Sequence, residues 1–436
     1  MSTTSGAARQ HSSPAGRNWS GTYDYRALRL VEPTSIAELQ QLVASTERIR
    51  GLGTRHSFNS LPDTTGALVH LGALVGEPVI DPVAMTVMVD AATPYGVAAE
   101  FLQRHGYALH NTGSLPHISV AGAISTGTHG SGDVHRNLSS AVAALQLVTA
   151  HGELRTVRRG DPGFDGMVVG LGAFGVITRV SLDIQPTFDI RQDAFVDLPW
   201  ETVLSDFDAV MGAAYSVSLM THWAASSVDQ LWLKTRVVNG EPAEVDAAHL
   251  GAAAAPVSLF DTESSNMTPF GGVVGPWSER LYHFRLDATP SLGDEIQSEY
   301  LVPRERIVEA LTALRGIGER LDGPLAVSEI RTMAGDDLWL SPAYGRDSVG
   351  VHFTWRNEPD AVDAVLPDIE AILLPLGARP HWGKHHHVSP ADLAPLYPRL
   401  AEWGALVTAW DPTGKFGNTL IDELRARALG AVRRLS

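Results

Sequence analysis

The reading of this chain turns on Arg48-Ile49-Arg50-Gly51-Leu52-Gly53-Thr54-Arg55-His56-Ser57-Phe58-Asn59. A short run, apolar at Ile49 and Leu52, enters a turn whose glycines, Gly51 and Gly53, stand two apart. Glycine adopts backbone conformations closed to other residues and lets the chain approach a ligand closely. Successive N–H groups beyond such a turn form a concave nest suited to a diphosphate. The pattern is G-x-G-x-x-H, with His56 where a Rossmann turn has its third glycine. A histidine there gives up close helix packing and sets a nucleophilic imidazole beside the bound group. By itself, a glycine turn followed by histidine is more often an ordinary loop.

A second stretch changes the balance: Ser114-Leu115-Pro116-His117-Ile118-Ser119-Val120-Ala121-Gly122-Ala123-Ile124-Ser125-Thr126-Gly127-Thr128-His129-Gly130-Ser131-Gly132. It is small, hydroxylated and glycine-rich, so its backbone wraps a flat polar ligand closely. Together the two stretches resemble the FAD-binding domain of the vanillyl-alcohol-oxidase flavoprotein superfamily, and they look most like its alditol (xylitol) oxidase branch. In that branch the histidine of the first motif carries FAD through the flavin 8α-methyl group, and His56 matches that position. The resemblance therefore implies FAD held covalently by His56. Around it would lie Gly51, Leu52, Gly53, Thr54, Arg55 and Ser57, then Gly113, Ser114, Ser119, Gly122, Thr126, Gly127, Thr128 and His129, and finally Ile177. One position departs from the pattern: the residue before the histidine is commonly glycine in such proteins and is Arg55 here.

Composition is consistent with this. The 436 residues suffice for two or three domains and a core stable without covalent staples. A net charge of −16 argues against nucleic acid or an anionic membrane as partner. There is no cysteine, which removes disulfides, thiolate metal sites, thiol catalysis and a cysteine-linked flavin, and leaves histidine as the candidate anchor. Residues 1–17 are polar, lack an apolar signal core and read as a disordered leader. No apolar run reaches the roughly 18 residues of a membrane helix, and we expect a cytoplasmic monomer.

Along the chain, Ser35-Ile36-Ala37-Glu38 is a capping box opening a helix with Ile36, Leu39, Leu42 and Val43 on one stripe. Thr86–Val89 predicts a strand. Thr93-Pro94 predicts a helix with threonine as N-cap, ended by Gly106. Ala141–Val148 and Leu154–Val157 form a hairpin about His151-Gly152. From Val176 to Gln185, apolar and polar residues alternate as in a strand with one buried face. Gln185-Pro186 closes the first domain, and residues 238–275 read as loops or an insertion. Ile307, Val308, Leu311 and Leu314 mark a helix, Ala326–Thr332 and Val349–Trp355 strands, Ser389-Pro390 the cap of a C-terminal helix, and Asp411–Phe416 a turn. The resemblance spans most of the chain. It implies an α+β, two-domain fold: an FAD-binding domain over 18–186, a substrate domain with a large antiparallel sheet over 187–375, and a segment over 376–436 returning to the first domain.

Three polar elements carry the expected chemistry. In Glu329-Ile330-Arg331, strand periodicity puts the carboxylate and guanidinium on one face, where they can hold a polyol by charge-assisted hydrogen bonds. His352-Phe353-Thr354 repeats that arrangement, and His381-Trp382-Gly383-Lys384 is the third. All three match substrate-site motifs of alditol oxidases, and the last also resembles the His-Trp-Ala-Lys motif of aldonolactone oxidoreductases. The resemblance places Ser114, Glu329, Arg331, Thr354 and Lys384 against substrate, gives catalytic roles to Glu329, Arg331 and Lys384, and sets His352 close by with them. His385-His386-His387 invites a metal, but consecutive residues on a strand face opposite ways, and no metal site is expected. The implied function is oxidation of a terminal CH–OH of a polyol to the aldehyde, with dioxygen reduced to hydrogen peroxide. The alternatives are an aldonolactone or aldonate oxidoreductase of the same fold, or a flavin- or sugar-binding protein without turnover.

Overall fold

The computed structural model describes residues 15–237, 245, 247–256, 266–289 and 293–435. Strands β1 (Arg29–Val31), β2 (Ile49–Gly51) and β3 (Ala67–Val69) form a parallel sheet in the order β1-β3-β2. Between the first two runs helix α1 (Ile36–Ser45), which buries Leu39 and Val43. Ser35 Oγ accepts from Glu38 N, as the capping box requires, but the return bond reaches one residue further back, from Thr34 N to Glu38 Oε2 at 2.7 Å. The five strands β4 (Val79–Asp81), β5 (Thr86–Asp90), β6 (Val142–Val148), β7 (Leu154–Arg158) and β8 (Val176–Asp183) pair antiparallel in the order β4-β5-β8-β6-β7. In β8 the alternation is realised, with Val176, Thr178, Val180 and Leu182 buried.

Helix α2 (Tyr95–Arg104) corrects one expectation: its N-cap is Pro94, and the Thr93 hydroxyl is buried without a hydrogen-bond partner. Thr93 is taken up by its neighbours instead, its N–H donating to Asp90 O and its carbonyl accepting from Val120 N. Helix α3 (Val120–Thr126) ends at Gly127, which takes φ +71, and a Cβ there would lie 2.9 Å from Pro342 Cδ. Gly127 is thus a helix stop pressed against a neighbour.

The third sheet has nine strands. They are β9 (Asp189–Val196), β10 (Ser216–Thr221), β11 (Gln230–Arg236), β12 (Ala253–Ala254), β13 (Val274–Pro276), β14 (Glu295–Pro303), β15 (Leu325–Met333), β16 (Ser348–Arg356) and β17 (Arg379–Pro380). The order is β12-β9-β11-β10-β15-β16-β14-β17, with β13 also on β9, and every pairing is antiparallel. Its central strands carry two different faces. Ile330, Val351, Phe353 and Trp355 form the core side, packed with α4 (Ile307–Arg315) and α5 (Pro359–Leu373). Phe353 and Trp355 stack at 5.2 Å, and Trp223 lies 6.0 Å from Phe353. The opposite face is polar although buried, with Glu299, Glu329, Arg331, His352 and Thr354. In register, Glu329 and Glu299 flank His352 on the two neighbouring strands.

After β17 the chain runs through α6 (Leu400–Trp410) and α7 (Thr419–Leu435). The expected turn lies between them, with Asp411 accepting from Lys415 N and Phe416 N. It packs on the first sheet: Ile49 N donates to Lys415 O at 3.0 Å, Arg48 Nη1 donates to Gly414 O at 2.8 Å, and the buried Arg50 donates to Phe416 O. Ser389 caps only the four-residue helix Pro390–Leu393.

Two further expectations are modified. Residues 1–14 of the leader lie outside the described residues, but 15–17 are placed: Ala15 is buried and Arg17 pairs with Asp24 at 2.6 Å. Of 238–275, part lies outside the described residues, and the rest contributes β12 and β13 to the large sheet.

Candidate active site

A single cavity of about 510 Å³ runs from the Gly51 turn to the polar face of the large sheet. That size suits a small-molecule or cofactor site. It is lined by Gly51 through Ser57, by Ser119, Gly122, Thr126 and Thr128, and by Ile177, with Ser114 and His129 reaching the polar groups of the sheet. On the sheet it is lined by Glu329, Arg331, His352 and Thr354, and Lys384 lines it beside the His56 loop. Of the residues expected here, Gly113 and Gly127 are not in its wall.

The turn is built for close approach. A Cβ on Gly53 would stand 2.5 Å from Ser119 Oγ, and one on Gly122 would stand 2.9 Å from the same oxygen. Arg55 occupies the left-handed region at φ +67, where glycine would be unstrained. Its guanidinium bonds Ala15 O at 2.5 Å and Arg17 O at 3.0 Å and lies over the Tyr25 ring. Arg55 thus ties residues 15–17 to the turn.

His56 lies against Trp19, with ring centroids 4.9 Å apart. Its Nδ1 is 3.1 Å from Thr54 Oγ1, a hydroxyl that also accepts from Ser119 N. Its Nε2 is buried and has no hydrogen-bond partner. Burial, aided by the charge of Lys384, lowers its pKa to about 4, so the ring is neutral at pH 7 with a lone pair to give. An unpartnered imidazole nitrogen in the wall of a cavity whose glycines leave no room for side chains fits a flavin anchored there.

At the sheet end the polar groups form one connected array. Arg331 Nη1 donates to Ser114 Oγ at 2.9 Å and Nη2 to Glu299 Oε1 at 3.3 Å, while Nε lies 3.5 Å from Glu329 Oε2. Glu299 also faces His129 Nε2 at 2.8 Å and accepts from His352 Nδ1 at 3.2 Å. The tautomer of His352 then follows from its partners: Nε2 accepts from the Thr354 hydroxyl at 3.2 Å. Gly350 makes room for this array, because a Cβ there would meet Glu299 Oε1 at 3.0 Å and His129 Cε1 at 3.1 Å.

Burial would raise both carboxylates. The His129 and His352 rings outweigh it at Glu299, and Arg331 and His283 outweigh it at Glu329, so both sit well below the usual carboxylate range. Lys384 donates to Gln297 Oε1 and lies over the Phe58 ring. Burial, with Arg331 nearby, lowers it to about 8. Its loop is fastened to the His56 loop: Asn59 Nδ2 donates to the carbonyls of Trp382 and Lys384, and Phe58 N donates to Gly383 O. The loops of His56 and Lys384 are therefore fastened to each other.

Sequence reasoning missed Glu299, Gln297 and His283, all of which line the cavity. The first two lie in Glu295-Ile296-Gln297-Ser298-Glu299, the same period-two polar pattern as Glu329-Ile330-Arg331, and that alternation was the available signal. His385 and His387 face one way, with Nε2 atoms 2.7 and 2.9 Å from Asp363 Oδ1. The two rings and the carboxylate bring three ligand atoms within 4.8 Å of one another, a grouping that could hold a metal ion and that the sequence expectation did not foresee.

A model of the FAD binding domain matches residues 27–158, and a model of D-arabinono-1,4-lactone oxidase matches residues 289–424. The chain is 42% identical to an alditol oxidase of Streptomyces sp. (strain IKD472 / FERM P-14339), over 94% of this chain and 99% of that protein. It is 29% identical to an L-gulono-1,4-lactone dehydrogenase of Mycobacterium tuberculosis, over 93% of this chain and 98% of the other. To L-gulonolactone oxidase of Bos taurus it is 27% identical, over 94% and 97% of the two chains. Among solved structures, cholesterol oxidase from B. sterolicum superposes with a TM-score of 0.72 over 94% of this chain and 96% of that one. At 16% identity that likeness is one of fold.

Proposed function

The chain belongs to the alditol oxidase family of FAD-dependent oxidoreductases, and from that premise we propose that it oxidises a terminal CH–OH of an alditol to the aldehyde, with FAD joined covalently to His56 and dioxygen as final acceptor. One observation supports the reading above all others. A carboxylate, a guanidinium, a hydroxyl and a lysine of lowered pKa meet in the same cavity as a neutral imidazole with a free nitrogen.

When bound, FAD supplies the two-electron redox chemistry and the passage of those electrons to dioxygen, leaving hydrogen peroxide. The chain supplies the rest. Lys384, drawn toward neutrality by burial, takes the proton of the reacting hydroxyl at Nζ. Arg331, fixed between Ser114, Glu299 and Glu329, stabilises the negative charge that remains on oxygen. Glu329, held ionised, accepts a hydrogen bond from a further hydroxyl, and Ser114 and Thr354 bind others. The Glu299–His129–His352 cluster holds Arg331 and Thr354 in place.

Peroxide release across a panel of alditols, diols and aldonolactones tests the function. Turnover highest with alditols supports it. Turnover confined to aldonolactones would move the assignment to the lactone-oxidising relatives. The anchor has its own test: acid-precipitated protein is expected to keep its yellow colour in the pellet, and His56→Ala to release it.

A further inference from the structure

The alditol reading leaves a buried lysine and a buried histidine beside the pocket without a task. Lys234, on β11, is 1% exposed. Its Nζ donates to Leu281 O at 2.6 Å and Tyr282 O at 3.0 Å, and lies 3.1 Å from His283 Nδ1. Burial lowers the Lys234 pKa to about 7, so the ammonium is the form below neutrality; it carries three N–H donors and here meets three acceptors. That arrangement puts the lone pair of His283 on Nδ1 and its proton on Nε2. Nε2 lies 2.6 Å from Glu329 Oε1.

The segment that Lys234 holds also touches Ser114. His283 N and Phe284 N donate to Ser114 O at 3.0 and 3.3 Å, and Ser114 Oγ in turn accepts from Arg331. One lysine thus fixes a stretch of backbone that bears on both the carboxylate and the serine of the pocket. With Oε1 of Glu329 committed to His283, Oε2 is the oxygen left on the side of Arg331.

We infer that Lys234 and His283 are positioning residues for the polyol: Lys234 sets His283 as an Nε2–H donor to Glu329 Oε1, which aims Oε2 at a substrate hydroxyl and seats Ser114 across from it. The inference rests on the alditol reading above. A merely structural lysine, satisfying two carbonyls, would alter stability and leave substrate binding alone.

The test uses the flavin-loaded enzyme carrying Lys234→Met, His283→Leu, both together, or His283→Gln, with initial rates measured on its best alditol and flavin content and Tm recorded. Each single change is expected to raise KM about tenfold with a smaller effect on kcat. The double variant is expected to be no worse than His283→Leu, because both remove one chain of contacts. His283→Gln keeps an N–H donor and is expected to recover part of the loss. Unchanged KM in a folded, flavin-loaded single variant, or losses that multiply in the double variant, would overturn the inference. Should the variants fail to fold, nitrogen-15 histidine spectra of the unaltered enzyme decide between about pH 6 and pH 8. A neutral His283 protonated on Nε2 is expected, and a charged ring or an Nδ1–H tautomer would overturn the chain of contacts. An unaltered enzyme that oxidises no alditol would sink the functional reading instead, and the spectra would still judge the Lys234–His283 contact.

Discussion

At the scale of single residues, Lys384 and Gly113 give the sharpest expectations. Lys384 acts as a base only once its proton is lost, so a folded pKa of about 8 places the rising limb of activity there. Flavin reduction by alditol should climb with pH through that value and level off above it. Lys384→Arg, which does not deprotonate, should remove the limb and lower the reduction rate on the order of a hundredfold. A flat profile in the unaltered enzyme would deny the lysine this role. Gly113 lies outside the left-handed region, and a Cβ on it would meet Thr128 Cγ2 at 3.5 Å and His129 O at 3.7 Å, which are ordinary contacts. Gly113→Ala should therefore fold and load FAD normally. Flavin content and Tm of the variant check this, and a loss of either would show that the backbone there requires glycine. The resemblance of three short motifs to those of alditol oxidases made the Glu329, Arg331, His352, Thr354 and Lys384 group legible in the sequence. His283 and Lys234 were not, because their partners are 46 residues away at Glu329 and 47 residues away at Leu281.

At the scale of elements, the central strands of the large sheet explain how so polar a face is kept inside. Period-two alternation sends Ile330, Val351 and Phe353 to the core and leaves Glu329, Arg331, His352 and Glu299 to satisfy one another. Gly350 is the small residue that makes the crowding possible. Gly350→Ala forces a methyl group against Glu299 Oε1 and His129, and should cost about 1–3 kcal/mol of stability and lower activity by displacing the Arg331 partner. Urea denaturation and steady-state rates check this, and an unchanged midpoint would show that the pair yields freely. Strand positions could be read from the sequence because alternation is a local signal. The order of the strands could not, since pairing of β14 with both β16 and β17 joins segments far apart in the chain. The start of α2 was misplaced for a similar reason: Thr93 has the right side chain for a cap, but its backbone is claimed by Asp90 and Val120.

At the scale of the whole molecule, residues 15–17 and 414–416 come together around the Gly51 turn. Ala15 and Arg17 are held by Arg55, and Gly414 to Phe416 by Arg48 and Arg50. The acidic chain also buries many neutral histidines. Burial lowers His135, His283 and His386 to about 4 and His381 to about 3. Unfolded, these rings bind protons near pH 6.5, so the unfolded state takes up more protons as pH falls from there toward 4. The depressed Glu299 and Glu329 act in the same direction below the ordinary carboxylate range. Stability should accordingly drop as pH falls from about 7 to 5, with Tm lower by several degrees, and calorimetry at the two values checks it. A Tm unchanged or higher at the lower pH would contradict these assignments. Among the described residues no helix is long and apolar enough to cross a membrane.

The central claim is that the cavity beside His56 oxidises alditols with FAD. Anaerobic mixing of the purified enzyme with an alditol, followed by flavin absorbance, tests it most directly. The account predicts rapid and complete bleaching of the flavin by alditols, slower bleaching by aldonolactones, and loss of the fast phase in Arg331→Ala and Lys384→Ala. Flavin that stays oxidised with every alditol, or bleaches as fast in both variants as in the unaltered enzyme, would contradict it.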